Sequence, residues 1–220
     1  MGWQNQSVPR LYSYCIPIDD GAAPNPFWSY CTLAICKPVI RRVAQVGDWV
    51  IGTGSCRSPI GDISGYLVYA MRVTRKLPME EYETSAKRHC RRKIPKWTAR
   101  DPRHRLGDAI YDFRFAPPQL RKSVHDEGNR RRDLSGVYVL ISDHFFYFGD
   151  NPVTLPQHLL PLARQTQGHR SLANDTLLNP FLTWLNSHEL TPNMLYGQPQ
   201  VQLFGALDAR ECAIAACRGG

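Results

Sequence analysis

The chain has 220 residues, of which 43% are hydrophobic, and a formal net charge of +8. This length favours one substantial core, so we expect one domain over residues 8–190 and a C-terminal tail, residues 191–220, of uncertain order. No apolar run approaches the roughly 20 residues of a bilayer crossing, and the N-terminus lacks a signal-peptide pattern. We therefore expect a cytoplasmic protein without a membrane partner.

The first half of the sequence predicts short β-strands separated by turns. Runs rich in β-branched and aromatic residues predict strands at Leu11–Ile18, Tyr30–Cys36, Asp48–Thr53 and Tyr66–Arg75. Pro24-Asn25-Pro26 predicts a rigid loop, and Pro38–Val43 a short helical turn. The seven cysteines are odd in number and form no Cys-x-x-Cys pair, so neither a disulfide framework nor a zinc ribbon is favoured. Cys15, Cys31 and Cys36 are expected to be buried apolar residues.

The second half adds helices to this pattern. A helix is predicted from Pro78 to about Arg91, with acidic residues in its first turn and basic residues in its last. The segment Arg91–Arg132 has no clear periodicity and is predicted to be a long insertion. Val137–Phe148 returns to strand character, with a break at Asp143-His144, and helices are predicted at Pro156–Gln165 and Asn179–His188. The order of elements indicates an α+β fold.

Several motifs resemble a known family. Between Asp19 and Ser55 the sequence contains Ala23-Pro24-Asn25-Pro26-Phe27, Cys31-Thr32-Leu33-Ala34, Cys36-Lys37-Pro38 and a Gly-Asp-Trp strand. This pattern is similar to the second of the nucleotide-modification-associated domain families, and the similarity continues through His125–Arg130, Ser142–Gly149 and Gly168–Arg170. The Gly-Asp turn before an apolar strand also resembles small PUA-like barrels of the EVE and ASCH groups. The resemblance implies a small, mostly antiparallel PUA-like β-barrel with flanking helices and a role with altered nucleotides, but no catalytic residue.

The positive charge is concentrated in one region. Residues 72–132 hold 18 of the 27 lysines and arginines and 8 of the 19 acidic residues. Such a surface is typical of phosphate binding, with Trp97 available to stack on a base. The candidate phosphate-binding residues are Arg88, Arg91, Arg92, Lys93, Lys96, Arg130, His169 and Arg170. The alternative is a basic face that only keeps the protein soluble, or a flexible basic loop.

A second candidate site is an aromatic pocket for a base. An unstacked base is held between large rings and is approached closely by small residues. The predicted base pocket comprises Asn25, Trp28, Trp49, Gly54 and Ser55. The alternative is that both tryptophans belong to the core.

A third candidate site is polar. Three separated segments each contain a histidine, and two of them place a carboxylate nearby, so their convergence would provide acid–base groups. The candidate catalytic residues are His125, Glu127, Asp143 and His144. The alternative is that these side chains form structural hydrogen bonds. No metal or cofactor is expected.

The leading hypothesis is binding of DNA or a nucleotide that carries a modified base, in a DNA-modification or phage-defence context. The alternative is an enzyme of base modification or restriction that acts on a nucleotide or a flipped base through the polar site. A third hypothesis is a scaffold within a defence complex. The sequence leaves open which base is read, whether the polymer is DNA or RNA, and the oligomeric state.

Overall fold

The computed structural model describes residues 8–163, 169–172 and 176–202, and within 169–172 it describes the backbone only. Helices lie at α1 (Pro38–Val43), α2 (Met79–His89), α3 (Glu127–Leu134) and α4 (Leu178–Asn186). Short 3-10 helices occur at Arg91–Lys93, Pro102–His104 and Gln157–Leu162. Among these residues, no helix has both the length and the apolar character required to cross a bilayer.

The larger of the two main sheets has seven strands. They are β1 (Leu11–Cys15), β3 (Trp49–Thr53), β4 (Tyr66–Arg72), β9 (Phe145–Tyr147), β10 (Val153–Thr154), β11 (His169–Leu172) and β12 (Met194–Leu195). The order is β11-β1-β3-β4-β9-β12, and β10 pairs with β4. The β1–β3 and β9–β12 pairings are parallel, whereas the other pairings are antiparallel.

The smaller sheet positions the functional groups described below. Its strands are β2 (Cys31–Leu33), β5 (Arg75–Pro78) and β8 (Tyr138–Ser142), in the antiparallel order β2-β8-β5. A separate hairpin pairs β6 (Tyr111–Asp112) with β7 (Gln119–Leu120). The chain enters β8 at one end of the smaller sheet and leaves it at the other, so the segments before and after β8 lie at opposite ends of this sheet.

Strand alternation distributes the apolar residues over three core layers. Tyr12, Val50 and Leu140 belong to a cluster between the two sheets, whereas their neighbours Trp49 and Val139 face the other way. The outer face of the larger sheet packs against α4 and the 3-10 helix at 157–162. The outer face of the smaller sheet packs against α2 and β6. The strands β1, β2, β3 and β9 are therefore buried on both faces, which explains their nearly continuous apolar sequences.

The α+β class predicted from the sequence is confirmed, and most strand pairings are antiparallel as expected. Closure into a PUA-like barrel is not observed, because the strand orders of the described residues give open sheets rather than a ring. The predicted insertion at 91–132 contains more structure than expected, since the β6–β7 hairpin and the start of α3 lie within it. Asp126 caps α3 through a reciprocal capping box with Asn129.

The predicted helix at Pro156–Gln165 is a 3-10 helix at 157–162, and the predicted helix at Asn179–His188 is α4. The interruption of strand character predicted at Asp143-His144 is the turn between β8 and β9. Part of the predicted tail adds β12 to the larger sheet, while residues 203–220 lie outside the described part of the chain.

The core between the sheets contains a carboxyl group that gives a first prediction. Asp19 is only 2% exposed, and burial raises its pKa to about 7, although the hydroxyl of Tyr147 donates to it over 2.6 Å. Since the folded pKa exceeds the unfolded value, this group favours folding at low pH, and its contribution is lost as the pH rises from about 4 through 7.

We expect Asp19→Asn to be more stable than the wild-type protein at pH 8, by about 2–4 kcal/mol, and to lose this advantage near pH 4. Urea unfolding across this pH range measures the difference. Asp143→Asn is the matched control, because Asp143 is an exposed aspartate of the β8–β9 turn. Stability curves for Asp19→Asn and wild type that run parallel at all pH values would contradict the prediction.

Candidate thiol active site

Cys36 meets two side chains that are 89 and 97 residues further along the chain, His125 and Asp133, beside the smaller sheet. The Sγ atom of Cys36 lies 3.5 Å from Nε2 of His125, and Nδ1 of the same ring lies 2.5 Å from Oδ2 of Asp133. Thiol, imidazole and carboxylate are thus connected in series. This arrangement places a nucleophile beside a base that is oriented by a third group.

Cys36 occupies a turn between a strand and a helix. The chain leaves β2 at Leu33, and Cys36 and Lys37 adopt left-handed backbone angles, with φ of 58° and 37°, before Pro38 begins α1. Positive φ is uncommon for residues other than glycine and is found preferentially at functional sites. The turn leaves Cys36 half-buried rather than within the core, so the prediction that it is a buried apolar residue is not supported.

The carboxylate of Asp133 is fixed on all sides. It is fully buried, and it accepts hydrogen bonds from the Cys36 backbone N–H at 2.9 Å and the Tyr111 hydroxyl at 2.9 Å as well as contacting His125. Burial by itself would raise the pKa of Asp133, but the hydrogen bond and charge of His125, the Cys36 N–H and the charge of Arg41 together hold it below the usual value. Burial and the adjacent Asp133 raise the pKa of Tyr111, which therefore remains a hydrogen-bond donor.

A buried guanidinium holds the same segments together from behind. Arg41, which is fully buried, donates to the carbonyl oxygens of Cys36, Ala34, Tyr138 and Asp133. Gly136 makes room for this group, because a side chain at that position would collide with the guanidinium of Arg41. Arg41 therefore ties the Cys36 turn to the connection between α3 and β8.

The same three side chains have the composition of a metal site. Their ligand atoms lie within 4.8 Å of one another. However, the thiol and the carboxylate face different nitrogens of the His125 ring, so an ion bound by Cys36 Sγ and His125 Nε2 would leave Asp133 as the acceptor for Nδ1–H. That ion would have two direct ligands from this trio, whereas catalytic zinc sites use three and structural sites four. The geometry fits proton transfer better than metal coordination.

The four predicted catalytic residues do not come together. Glu127 is exposed and pairs with Arg130, with 2.8 Å between Oε2 and Nη1. His144 packs edge-on against Trp49, with ring centroids 5.6 Å apart. Asp143 and His144 follow the end of β8, whereas Asp133 precedes its start, so the five-residue strand separates them by about 16 Å. Of the four, His125 alone belongs to the thiol site.

The two tryptophans of the predicted base pocket also lie apart. Trp49 is buried in the core between the larger sheet and α4, where its ring meets Phe181 with centroids 6.1 Å apart. Trp28 is half-buried beside the 3-10 helix at 102–104 and contacts the guanidinium groups of Arg92 and Arg103, which lie 4.6 and 5.3 Å from its ring centroid. They belong to different core layers and cannot hold one base between them.

The other three residues of the predicted base pocket make contacts within the fold. Asn25 is fully buried, with Nδ2 donating to the Leu106 carbonyl at 2.7 Å. Gly54 packs against Ile63, and the hydroxyl of Ser55 accepts the backbone N–H of Arg57. The predicted base pocket is therefore not formed by these five residues.

Most of the predicted phosphate-binding residues are at the surface. Exposed side chains at the end of α2 and in the following segment are Arg88, Arg91, Arg92 and Lys96. Arg130 is half-buried and donates to the Pro118 carbonyl as well as to Glu127. The side chains of His169 and Arg170 lie outside the described part of the structure.

Lys93 is the exception, because its ammonium group is buried. It is 1% exposed, and the three N–H groups of Nζ are shared among four acceptors at 2.6–2.9 Å, namely Asn25 O, Asn25 Oδ1, Tyr30 O and Thr32 Oγ1. Thr32 Oγ1 in turn donates to the buried carboxylate of Asp108 at 2.5 Å. Burial lowers the pKa of Lys93 and raises that of Asp108. Lys93 is a structural cation and is not available to a phosphate.

Sequence reasoning missed Cys36, Asp133 and Tyr111 as members of one site. Asp133 lies in the highly charged segment Glu127–Leu134, which gives no sign of burial. The available signal was the pair of unusual features around Cys36, namely a cysteine followed by Lys37-Pro38 at the junction of a predicted strand and a helical turn.

Comparison with known proteins identifies a single type of domain. A family model described as nucleotide modification associated domain 2 matches residues 8–205. No curated protein matches the chain. No solved structure matches it. The matched range includes every residue of the thiol site.

The buried cation gives a second prediction. Lys93→Met should lower the free energy of unfolding by about 3–5 kcal/mol, because it leaves Asp108 without its compensating charge. Lys96→Met is the matched control, since Lys96 is exposed, and its effect should stay within about 0.5 kcal/mol. Urea unfolding compares the two. Similar losses in both variants would show that Lys93 has no special structural role.

Proposed function

Because the chain belongs to the nucleotide modification associated domain 2 family, we propose that it is a thiol-dependent enzyme of nucleotide modification. The observation that carries this proposal is the series formed by Cys36, His125 and Asp133. In this reading Cys36 is the nucleophile, His125 is the general base and acid, and Asp133 orients the imidazole.

The reaction begins with transfer of the Cys36 thiol proton to Nε2 of His125. The thiolate then attacks an electrophilic carbon of the nucleotide, or of the group to be attached to it, and forms a covalent S–C bond. The imidazolium returns its proton to the atom that receives the displaced electron pair. In the second step His125 takes a proton from an incoming acceptor, the acceptor attacks the same carbon, the S–C bond breaks, and the imidazolium returns the proton to the departing Cys36 thiolate.

Asp133 supports both steps through position and charge. Its contact with Nδ1 keeps that nitrogen protonated, so Nε2 is the basic nitrogen that faces the thiol, and the carboxylate stabilises the imidazolium when it forms. The hydrogen bonds from Tyr111 and the Cys36 N–H prevent the carboxylate from rotating away. The pKa of Asp133 lies below its usual value, so this support persists through the neutral range.

The third prediction concerns the reactivity of Cys36. At pH 6.5 we expect iodoacetamide to alkylate Cys36 about tenfold faster than Cys56, although Cys56 is more exposed, because a neighbouring imidazolium stabilises the thiolate. His125→Gln should abolish the difference, and Asp133→Asn should reduce it. Peptide mass spectrometry measures both sites in one sample, so Cys56 is an internal control. Equal rates in the wild-type protein, or no effect of His125→Gln, would remove the basis of the proposal.

A cellular experiment tests the link to nucleotides. The nucleoside composition of DNA, RNA and the soluble nucleotide pool should change when the wild-type protein is expressed and should not change with Cys36→Ser. Cys56→Ser is the control and should behave as wild type. The same change with Cys36→Ser as with wild type would exclude thiol catalysis.

The second candidate function is a non-catalytic reader of modified bases in DNA modification or phage defence. The observation that favours it is the row of exposed cations Arg88, Arg91, Arg92 and Lys96. A reader would bind modified nucleic acid with an affinity that falls with salt, would do so equally well as Cys36→Ser, and would leave nucleoside composition unchanged. The two candidates therefore differ in the cellular experiment.

A further inference from the structure

A surface hollow on the side of the β6–β7 hairpin has the features of a base-binding site. It has a volume of about 470 Å³, which lies within the range of small-ligand sites. Ile94, Pro95, Trp97 and Leu120 form its apolar walls, and Gln119 and Lys122 are among its polar residues. We propose that this Trp97 hollow binds one unpaired base of a nucleic-acid strand.

The hollow is held open by backbone hydrogen bonds on both sides of the tryptophan. Lys96 N–H donates to the carbonyl of His104 at 2.7 Å, and Ala99 N–H donates to the carbonyl of Lys96 at 2.9 Å. The opposite wall is the hairpin, where Tyr111 pairs with Leu120. Because its walls are fixed in this way, a base entering the hollow orders little additional chain, which favours binding.

Two carboxylates, Asp112 in the lining of the hollow and Glu83 behind it in the same ion-pair network, are paired with cations. Asp112 pairs with Arg114 at 2.6 Å and Arg121 at 3.2 Å, and Lys87 lies 3.7 Å from it. Glu83 contacts Lys87 and Arg121 in turn. Hydrogen bonding and charge from Arg114 hold the pKa of Asp112 below its usual value, so this carboxylate remains ionised at neutral pH. Three cations thus face two carboxylates, and the wall carries no negative excess.

Two exposed lysines lie beside Trp97, one of them in the lining of the hollow and the other next to Trp97 in the sequence. The ammonium of Lys122 is exposed and lies 5.6 Å from the centroid of the Trp97 ring. Lys96 directly precedes Trp97 and is exposed. A strand whose base entered the hollow would therefore meet exposed positive charge at Lys122 and Lys96.

This combination favours a base and its flanking phosphates over other occupants. A flat ring stacks on tryptophan whatever its sequence, while the phosphates meet the exposed cations. An acidic peptide would satisfy the cations but has no flat face for Trp97, so it serves as a competing occupant in the test. Binding of a base in the Trp97 hollow does not require the proposed thiol chemistry. Together with that chemistry, it makes a polymer rather than a free nucleotide the substrate.

The test measures binding of three fluorescent ligands of equal length. These are a 12-nucleotide oligothymidine, a 12-unit abasic oligomer with the same phosphates, and a polyglutamate peptide. We expect wild type to bind oligothymidine about tenfold more tightly than the abasic oligomer, because stacking on one aromatic ring contributes a factor of roughly 5 to 150. Equal affinity for oligothymidine and the abasic oligomer, or tighter binding of polyglutamate than of oligothymidine, would overturn the inference.

Variants assign the preference to the hollow. Trp97→Ala should reduce affinity for oligothymidine to that for the abasic oligomer, and Trp97→Phe should restore most of the preference because it keeps a ring. Lys122→Ala should weaken binding of both oligomers and reduce the salt dependence. Retention of the full preference by Trp97→Ala would place the base elsewhere and overturn the inference.

One measurement separates this inference from the proposed enzyme. The alkylation rate of Cys36 should be the same in Trp97→Ala as in wild type, which also shows that the variant is folded. Cys36→Ser should retain the preference for oligothymidine over the abasic oligomer. Loss of that preference in Cys36→Ser would show that the base is held at the thiol site and not by Trp97.

Discussion

The buried carboxylate of Asp133 is the interaction on which the candidate site depends. It joins the Cys36 turn, the β6 residue Tyr111 and the loop residue His125, which come from three separate parts of the chain. An isolated charge in such a place would be costly, and its hydrogen bonds together with the nearby guanidinium of Arg41 offset that cost. The network that stabilises the charge also aligns thiol and imidazole, so structural and chemical roles coincide in the same bonds.

Within the basic region, the fold buries some cations and leaves others exposed to solvent. The smaller sheet and α2 bury Lys93 and Asp108 in an internal polar network. The segments that continue from this network carry the half-buried Trp97 and the exposed Lys96 and Lys122. A surface anchored on buried hydrogen bonds presents its side chains with little loss of entropy on binding. The basic region is thus a structured surface in which some cations maintain the fold and others face solvent.

The longer strands of the two main sheets could be predicted because local patterns determine them, whereas the short strands β6, β7, β10, β11 and β12 were not predicted. Val50 and Ile51 lie in an apolar β-branched run that is buried on both faces, and the α+β class follows from the order of such runs. The site could not be predicted in the same way. Cys36 and Asp133 are 97 residues apart, and Asp133 lies between charged neighbours. Lys93 and Lys96 look alike in sequence, since only tertiary packing determines which ammonium is buried.

Gly136 touches none of the reacting atoms, yet the site depends on its lack of a side chain. Any larger residue there would displace the Arg41 guanidinium, and with it the carbonyl anchors of the Cys36 turn. On the proposed mechanism, a relative that retained the cysteine, histidine and aspartate but carried a bulkier residue at this position would be a pseudoenzyme, because these groups would be held out of alignment. On the same proposal, the residue at position 136 would distinguish relatives with an aligned trio from relatives in which it is displaced.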